Sequence, residues 1–348
     1  MAPTDLLRPT AEELPALLEP ALRQHVPGSD AIENWRPADR GLSTETFLFD
    51  AIDSSGETVE QLVFRRPPAV ALYPDYDLLR QVLVMNRLRH TAIPVPRVIW
   101  FDRAGRALGT PYCVMEHVPN IGTTGDFPSY HTSGLYFDAD EHQRAKMWWG
   151  CVKSIADVHL LDWRTLRLES LLMPERGARP LQQVLDYYRA TLRWASADQP
   201  RPELTAAVDW LSDNVYEPRH LCLCWGDSRL SNVLYGPRFE VAAVVDWEVA
   251  YIGDHEADLA WLLFLDWSFS EHQQIPRLPG TPTRDETIAG YREWTGWPVR
   301  NLRYNEVLAA VALACPVLRL QSRLLADGLV TADADLVGFC VERIRQLL

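Results

Sequence analysis

The chain has 348 residues, 47% hydrophobic and 23% charged, with 34 basic against 47 acidic side chains and a formal net charge of −13. A chain this apolar folds around a core, and its length implies two domains or one large bilobal domain at about 100–200 residues each. The acidic balance argues against a nucleic-acid partner, because phosphate-backbone binders rely on concentrated Lys and Arg.

Residues 1–20 carry Asp5, Glu12, Glu13 and Glu19 and no continuous apolar stretch, which argues against a signal peptide. The longest apolar run, 307–318, is 12 residues long and contains Pro316. A membrane span needs about 20 residues, so no membrane partner is expected. The six cysteines (113, 151, 222, 224, 315 and 340) form no CxxC pair. Buried free thiols in a reducing cytoplasm are favoured over a metal site or a disulfide framework.

Residues 11–26 read as a leading helix, with Leu14, Leu17, Leu18 and Leu22 on one side. Strand-like runs follow at 46–52 and 59–64, separated by the turn-rich DSSGE. Helical spacing returns at 77–89 through Leu78, Val82, Met85 and Leu88. PVPRVIW and PYCVMEHV supply two more strands, split by the turn DRAGRALG. The order β–β–α–β–β describes a small mixed sheet with one packed helix.

From residue 119 the character changes. PNIGTTGDFPSYHTSGLYF has no clear period, and loops beyond about 12–15 residues in a compact chain are usually functional or disordered. Helical faces follow, through Met147, Cys151, Ile155 and Val158, then Leu181, Val184, Leu185 and Tyr188, then Leu204, Ala207, Val208, Leu211 and Val215. Two short strands at 221–225 and 241–245 interrupt them, and helices at about 303–325 and 333–347 close the chain. A boundary within 115–120 gives an N-terminal lobe of 1–118 and a C-terminal lobe of 119–348.

The chemistry concentrates in LCLCWGDSRLSNVLYGPRFEVAAVVDWE. One strand ends in Trp225-Gly226-Asp227, Asn232 follows five residues later, and a second strand ends in Asp246. A hairpin of these two strands, turning around 235–239, would bring both polar clusters together. A carboxylate, an amide oxygen and a second carboxylate can organise phosphoryl transfer, because Mg²⁺ prefers such hard oxygen ligands.

WGDSRLSN followed by VVDWE resembles the catalytic loop and metal-binding Asp of the aminoglycoside phosphotransferase (APH) and choline kinase-like family, relatives of the protein kinases. GLSTETFLFDA, LVFRRPP, PVPRVIW, PYCVMEHV and GDHEADLAWLLF extend the resemblance over roughly 30–270, and it is closest to a bacterial branch related to domains fused to acyl-CoA dehydrogenases. The resemblance implies an α+β, bilobal, protein-kinase-like fold: a small mixed β-sheet N-lobe with one packed helix, which binds nucleotide, and a mostly helical C-lobe, which carries catalysis and the acceptor. It implies ATP and Mg²⁺ as cofactors and a hydroxylated small molecule as substrate.

Carried over by residue, Asp227 is the general base or hydroxyl-positioning group, and Asn232 and Asp246 hold the metal. Arg229 is either a stabiliser of transition-state charge or a salt-bridged surface side chain. Ser43 and Thr44 match the loop that covers the nucleotide, and Arg65 takes the place of the kinase Lys on the α- and β-phosphates. Glu116 and Val118 match the hinge, where backbone groups face adenine. Asp258 matches the structural Asp that braces the catalytic loop, and His159 reads as a core histidine. Two departures stand out. Gln81 occupies the place of the helix Glu that pairs with the Lys, and Trp225 the place of the usual His.

Two acceptor classes compete. An aminoglycoside polycation needs converging carboxylates, for which Asp126, Asp138, Asp140 and Glu141 are available. A partly apolar hydroxylated metabolite, such as a hydroxyacyl compound, suits Phe127, Tyr130, Tyr136, Phe137, Trp148 and Trp149, and is slightly favoured. A catalytically weak nucleotide-binding module is the alternative to an enzyme.

Overall fold

The computed structural model describes residues 8–38, 44–74, 76–197, 199–331 and 333–348. The chain divides into two compact units, one of Met1–Ala71 with Tyr76–Pro119, the other of Leu72–Asp75 with Asn120–Leu348.

The first unit is built on five strands, β1 (Ala31–Pro37), β2 (Glu45–Ile52), β3 (Thr58–Arg66), β4 (Val98–Asp102) and β5 (Tyr112–Glu116), in the order β1-β2-β3-β5-β4. Every pairing is antiparallel, so the expected mixed sheet is corrected to an antiparallel one. The edge strand β1 escapes sequence patterning because AIENWRP buries no side chain fully. Alternation on β2 and β3 turns Phe47, Phe49, Leu62 and Phe64 into one cluster, where Trp35 stacks on Phe47 with centroids 4.7 Å apart. Leu14, Leu18 and Leu22 of α1 (Leu14–His25) fill the same core, at about 1.5–3 kcal/mol for each buried side chain. Leu17, assigned to that face by spacing, is 39% exposed. The helix α2 (Leu78–Leu88) is capped by the Asp77 carboxylate, which accepts from Leu79 N. With α1 packed as well, the sheet carries two helices instead of one.

The second unit is mostly helical: α3 (Leu135–Asp138), α4 (Glu141–His159), α5 (Pro180–Ser196), α6 (Pro202–Asp213), α7 (Ala257–Phe269), α8 (Arg284–Thr295), α9 (Leu302–Ala326) and α10 (Gly338–Leu347). Between α6 and α7 lie β6 (Leu221–Cys224), β7 (Val233–Tyr235), β8 (Val241–Val244) and β9 (Tyr251–Asp254). The expected hairpin of the 221–225 and 241–245 strands does not form. β6 pairs with β9, and β8 pairs with β7. Each chemical loop therefore leaves its own two-stranded ribbon, because the short connection after Tyr235 can close only the β7–β8 pair.

By length and hydropathy α9 is long and apolar enough to cross a membrane, more than the 12-residue run suggests. Its apolar side chains from Leu302 to Leu318 are largely buried, and it packs on α5, α7, α6 and α10, as a core helix does. All six cysteines are buried free thiols.

Candidate active site

The strand β6 delivers the chain to Trp225-Gly226-Asp227, and the turn there has no room for a side chain. Gly226 sits at φ +87°, and a Cβ on it would lie 2.4 Å from the Val249 carbonyl oxygen. One carboxylate holds this turn from beneath. Asp258, in the first turn of α7, accepts from Trp225 N at 2.6 Å and Gly226 N at 2.8 Å. Its carbonyl accepts from Ser228 Oγ at 2.8 Å. Trp225, in the place of the usual His, donates its indole N–H to Val245 O at 2.9 Å and so ties this turn to the residue before Asp246.

Asp258 is itself held by His159, whose Nε2 lies 2.9 Å from Asp258 Oδ2. The Tyr291 hydroxyl donates to His255 O, so His159 Nδ1, 2.7 Å from that hydroxyl, donates in turn. With both ring nitrogens donating, the imidazole is protonated. Burial works against that charge, but Cys222 and Asp258 beside it raise the pKa to about 10. His159, Cys222 and Cys224 lie close enough to suggest a metal cluster, yet this histidine has no lone pair left to ligate one.

Above the turn, Asp227 accepts from Trp261 Nε1 on Oδ1 at 3.0 Å and from Asn232 Nδ2 on Oδ2 at 2.8 Å. Arg229 Nη2 lies 3.0 Å from Oδ2, and its Nη1 lies 3.0 Å from Asp126 Oδ2. Burial raises the Asp227 pKa; Asp246 and Asp126 add to it, while Arg229 and Asn232 oppose. Arg229 is held charged by Asp227, Asp126 and Asp246 against its own burial. Tyr73 completes this environment, its hydroxyl pushed well up by burial and by Glu248, Tyr188 and Asp227.

Asn232 joins the Asp246 segment through its carbonyl, which accepts from Val245 N at 3.0 Å. Its amide nitrogen is spent on the Asp227 carbonyl and carboxylate, which leaves Oδ1 as the acceptor atom. Asp246 has φ +66°, a left-handed conformation that Asp tolerates better than most residues and that marks strained functional turns. The structure thus brings Asp227, Arg229, Asn232 and Asp246 into one electrostatically coupled group. An amide oxygen and a carboxylate are the hard donors that Mg²⁺ takes.

In the first unit, Arg65 Nη2 donates to Thr44 Oγ1, so a guanidinium and a hydroxyl share one position suited to phosphate oxygens. Ser43 lies outside the described residues. Glu116 ends β5, and its carboxylate is taken up by Arg97, accepting from Arg97 N at 2.9 Å. Val118 follows on the same segment, and His117 N between them donates to Gln61 O at 2.9 Å. Gln81 is fully buried on α2.

The acceptor candidates separate sharply. Tyr130, Tyr136 and Trp148 are core side chains, whereas Phe127 is 78% exposed beside Asp126. Asp140 is the N-cap of α4, and Asp138 and Glu141 face solvent. Asp126 alone of the four carboxylates joins the Asp227 group.

Trp261 and Tyr73 were not legible as site residues. Trp261 had one faint signal, since it follows Asp258 by one helical turn and so shares its face of α7. Tyr73 had none, because the four-residue segment that carries it precedes α2 in sequence and yet belongs to the second unit.

Mouse acyl-CoA dehydrogenase family member 11 is 27% identical to this chain over 307 residues, covering 83% of the chain and 37% of the relative. Mouse acyl-CoA dehydrogenase family member 10 is 25% identical over 321 residues, covering 89% and 28%. The chain thus spans about a third of the length of these curated relatives. Among solved structures, a Ralstonia eutropha JMP134 protein whose aminoglycoside phosphotransferase name is itself provisional gives a TM-score of 0.69 at 20% identity, over 95% of both chains. Aminoglycoside phosphotransferase APH(4)-Ia gives 0.58 at 17% identity, over 94% of this chain and 98% of that one. These likenesses establish a kinase-like fold. The family model described as the phosphotransferase enzyme family (APH) matches residues 34–303, and the chain belongs to that family.

Proposed function

We propose that this protein transfers the γ-phosphoryl group of Mg²⁺-bound ATP to a hydroxyl group of a small molecule. The observation that carries the reading is the Asp227 carboxylate, half-buried, raised in pKa by desolvation, and set in one group with Arg229, Asn232 and Asp246. Among the described residues Asp227 Oδ1 takes a single hydrogen bond, from Trp261, and each carboxylate oxygen can accept two. An acceptor hydroxyl can dock on the remaining lone pair, where the raised pKa suits Asp227 to receive its proton.

Asn232 Oδ1 and the Asp246 carboxylate would hold Mg²⁺, which when bound neutralises phosphate charge. Arg229 would meet charge that develops on the transferring group. In the first unit, Ser43, Thr44 and Arg65 are assigned to the phosphates, and the backbone of Glu116 and Val118 to adenine. Six buried thiols suit a cytoplasmic setting.

The acceptor is assigned to partly apolar hydroxylated metabolites, with a hydroxyacyl compound as the leading class. Of the four carboxylates weighed for a polycation only Asp126 reaches the Asp227 group, and the exposed Phe127 ring offers an apolar face. The names of the acyl-CoA dehydrogenase relatives point the same way.

A screen of ADP release against hydroxyacyl compounds, amino alcohols and aminoglycosides tests this, with Asp227→Ala as the blank. Acceptor-dependent release with a phosphorylated product, strongest for a hydroxyacyl compound, is expected. A Mg²⁺-dependent thermal shift with ATP, but release no greater than the blank for every compound, would instead support the weak nucleotide-binding module to which Gln81 and Trp225 pointed.

A further inference from the structure

The loop between β5 and α3 has no regular structure, yet it is fastened on both sides of Asp126. On the near side, Ile121 N donates to Tyr235 O at 2.8 Å, Tyr235 N to Gly122 O at 3.0 Å, and Thr123 Oγ1 to Ser231 O at 2.6 Å. On the far side, Ser129 Oγ donates to Phe269 O at 2.6 Å and Tyr130 OH to Asp266 Oδ1 at 2.7 Å. Asp126 is therefore delivered to a fixed place three residues from each anchor.

At that place it meets Arg229. The guanidinium spans two carboxylates, Nη1 on Asp126 and Nη2 on Asp227, both at 3.0 Å. Its third nitrogen, Nε, is shielded from solvent and has no hydrogen-bond partner among the described residues. A buried N–H without an acceptor is costly, and arginine has no acceptor capacity with which to turn it inward. Nε and Nη2 form one edge of the planar fork, and Nη2 of that edge lies 3.0 Å from Asp227 Oδ2.

We propose that Asp126 is a positioning residue for Arg229: by taking Nη1 it fixes the fork so that the open Nε–H, beside Nη2, receives an oxygen of the transferring phosphoryl group. This rests on the phosphotransfer reading above. The distant end of the guanidinium is anchored by a side chain from another loop, so the donor edge needs no rearrangement when the anionic group arrives. In this role Asp126 acts through Arg229 and not on the transferring group itself.

The first test is spectroscopic and needs no turnover. The ¹⁵N–¹H resonance of Arg229 Nε, assigned by its loss in Arg229→Gln, is followed as Mg²⁺, ADP and fluoroaluminate, a planar phosphoryl mimic, are added. It should move in the native protein and stay in place in Asp126→Ala and Asp126→Asn, each checked for an unchanged circular dichroism spectrum. An unmoved native resonance, or an equal shift in both variants, overturns the proposal.

The second test is a double-mutant cycle on acceptor-dependent ADP release. Asp126→Ala and Arg229→Gln should each lower kcat by about 10²-fold, the scale of one lost donor to developing charge. Acceptor KM should stay nearly constant, and the double variant should be no slower than Arg229→Gln alone. Multiplying effects, or a raised acceptor KM at unchanged kcat, overturns the proposal. A shifted native resonance without any acceptor-dependent release defeats the phosphotransfer reading and leaves the positioning role standing. Release with an unmoved resonance does the reverse.

Discussion

Asp258 satisfies three donors with one carboxylate: the backbone N–H groups of Trp225 and Gly226 and the protonated ring of His159. Removing its charge strands a buried imidazolium and frees the turn that carries Asp227. Asp258→Asn should therefore cost about 3–5 kcal/mol of stability, as breaking one side of a buried ion pair does, measured by denaturant unfolding. Replacing His159 by Leu as well should recover part of that loss. The catalytic candidates themselves were legible in the sequence, because Asp227, Asn232 and Asp246 sit at strand ends and at fixed spacing in one short segment. The contacts around them were not: Asp126, read only as a carboxylate available to a polycationic acceptor, meets Arg229 from about a hundred positions away, through a loop with no period to read.

The loop carrying Asp126 and Phe127 depends at its far side on Asp266 of α7, which accepts from Tyr130, His131 and Arg277. Burial would raise the Asp266 pKa, but the His131 hydrogen bond and the Arg277 charge outweigh it and hold it below the usual carboxylate value. A lowered folded-state pKa means that ionised Asp266 stabilises the fold above its unfolded pKa of about 3.9. That stabilisation fades as pH falls from there through the lower folded-state value. Asp266→Asn should lower Tm at pH 7 and flatten the acid side of the stability profile; an equal loss of Tm at pH 3 and pH 7 would contradict this.

At this scale the sequence misled in two places. Strands 221–225 and 241–245 read as partners because both are short and apolar. Pairing, however, was decided by turn length, which joins β7 to β8 and gives β6 to the unrecognised β9. The aromatic residues near the loop read as a substrate wall, whereas Tyr130, Tyr136 and Trp148 are core packing. Periodicity reports burial and does not distinguish a protein interior from a ligand face.

For the molecule as a whole, the helical content of the second unit followed from hydrophobic spacing. The antiparallel sheet and the second packed helix of the first unit depended on long-range pairing that local pattern does not encode. A ligand that binds only the native state adds stability by mass action, about 2.7 kcal/mol at a hundredfold excess over Kd. ATP with Mg²⁺ should accordingly raise Tm in the native protein, and Asp246→Ala should remove the Mg²⁺-dependent part of the shift, measured by scanning calorimetry.

The central claim, that Asp227 serves the transfer step and not nucleotide binding, is tested most directly by Asp227→Asn in a single-turnover assay with γ-labelled ATP and the acceptor found in the screen. The prediction is a loss of about 10²–10⁴-fold in label transfer, the range of a lost general base, with Kd for Mg²⁺–ATP within a few-fold of native. Native-like transfer by the variant, or transfer lost only in proportion to weakened ATP binding, would contradict it.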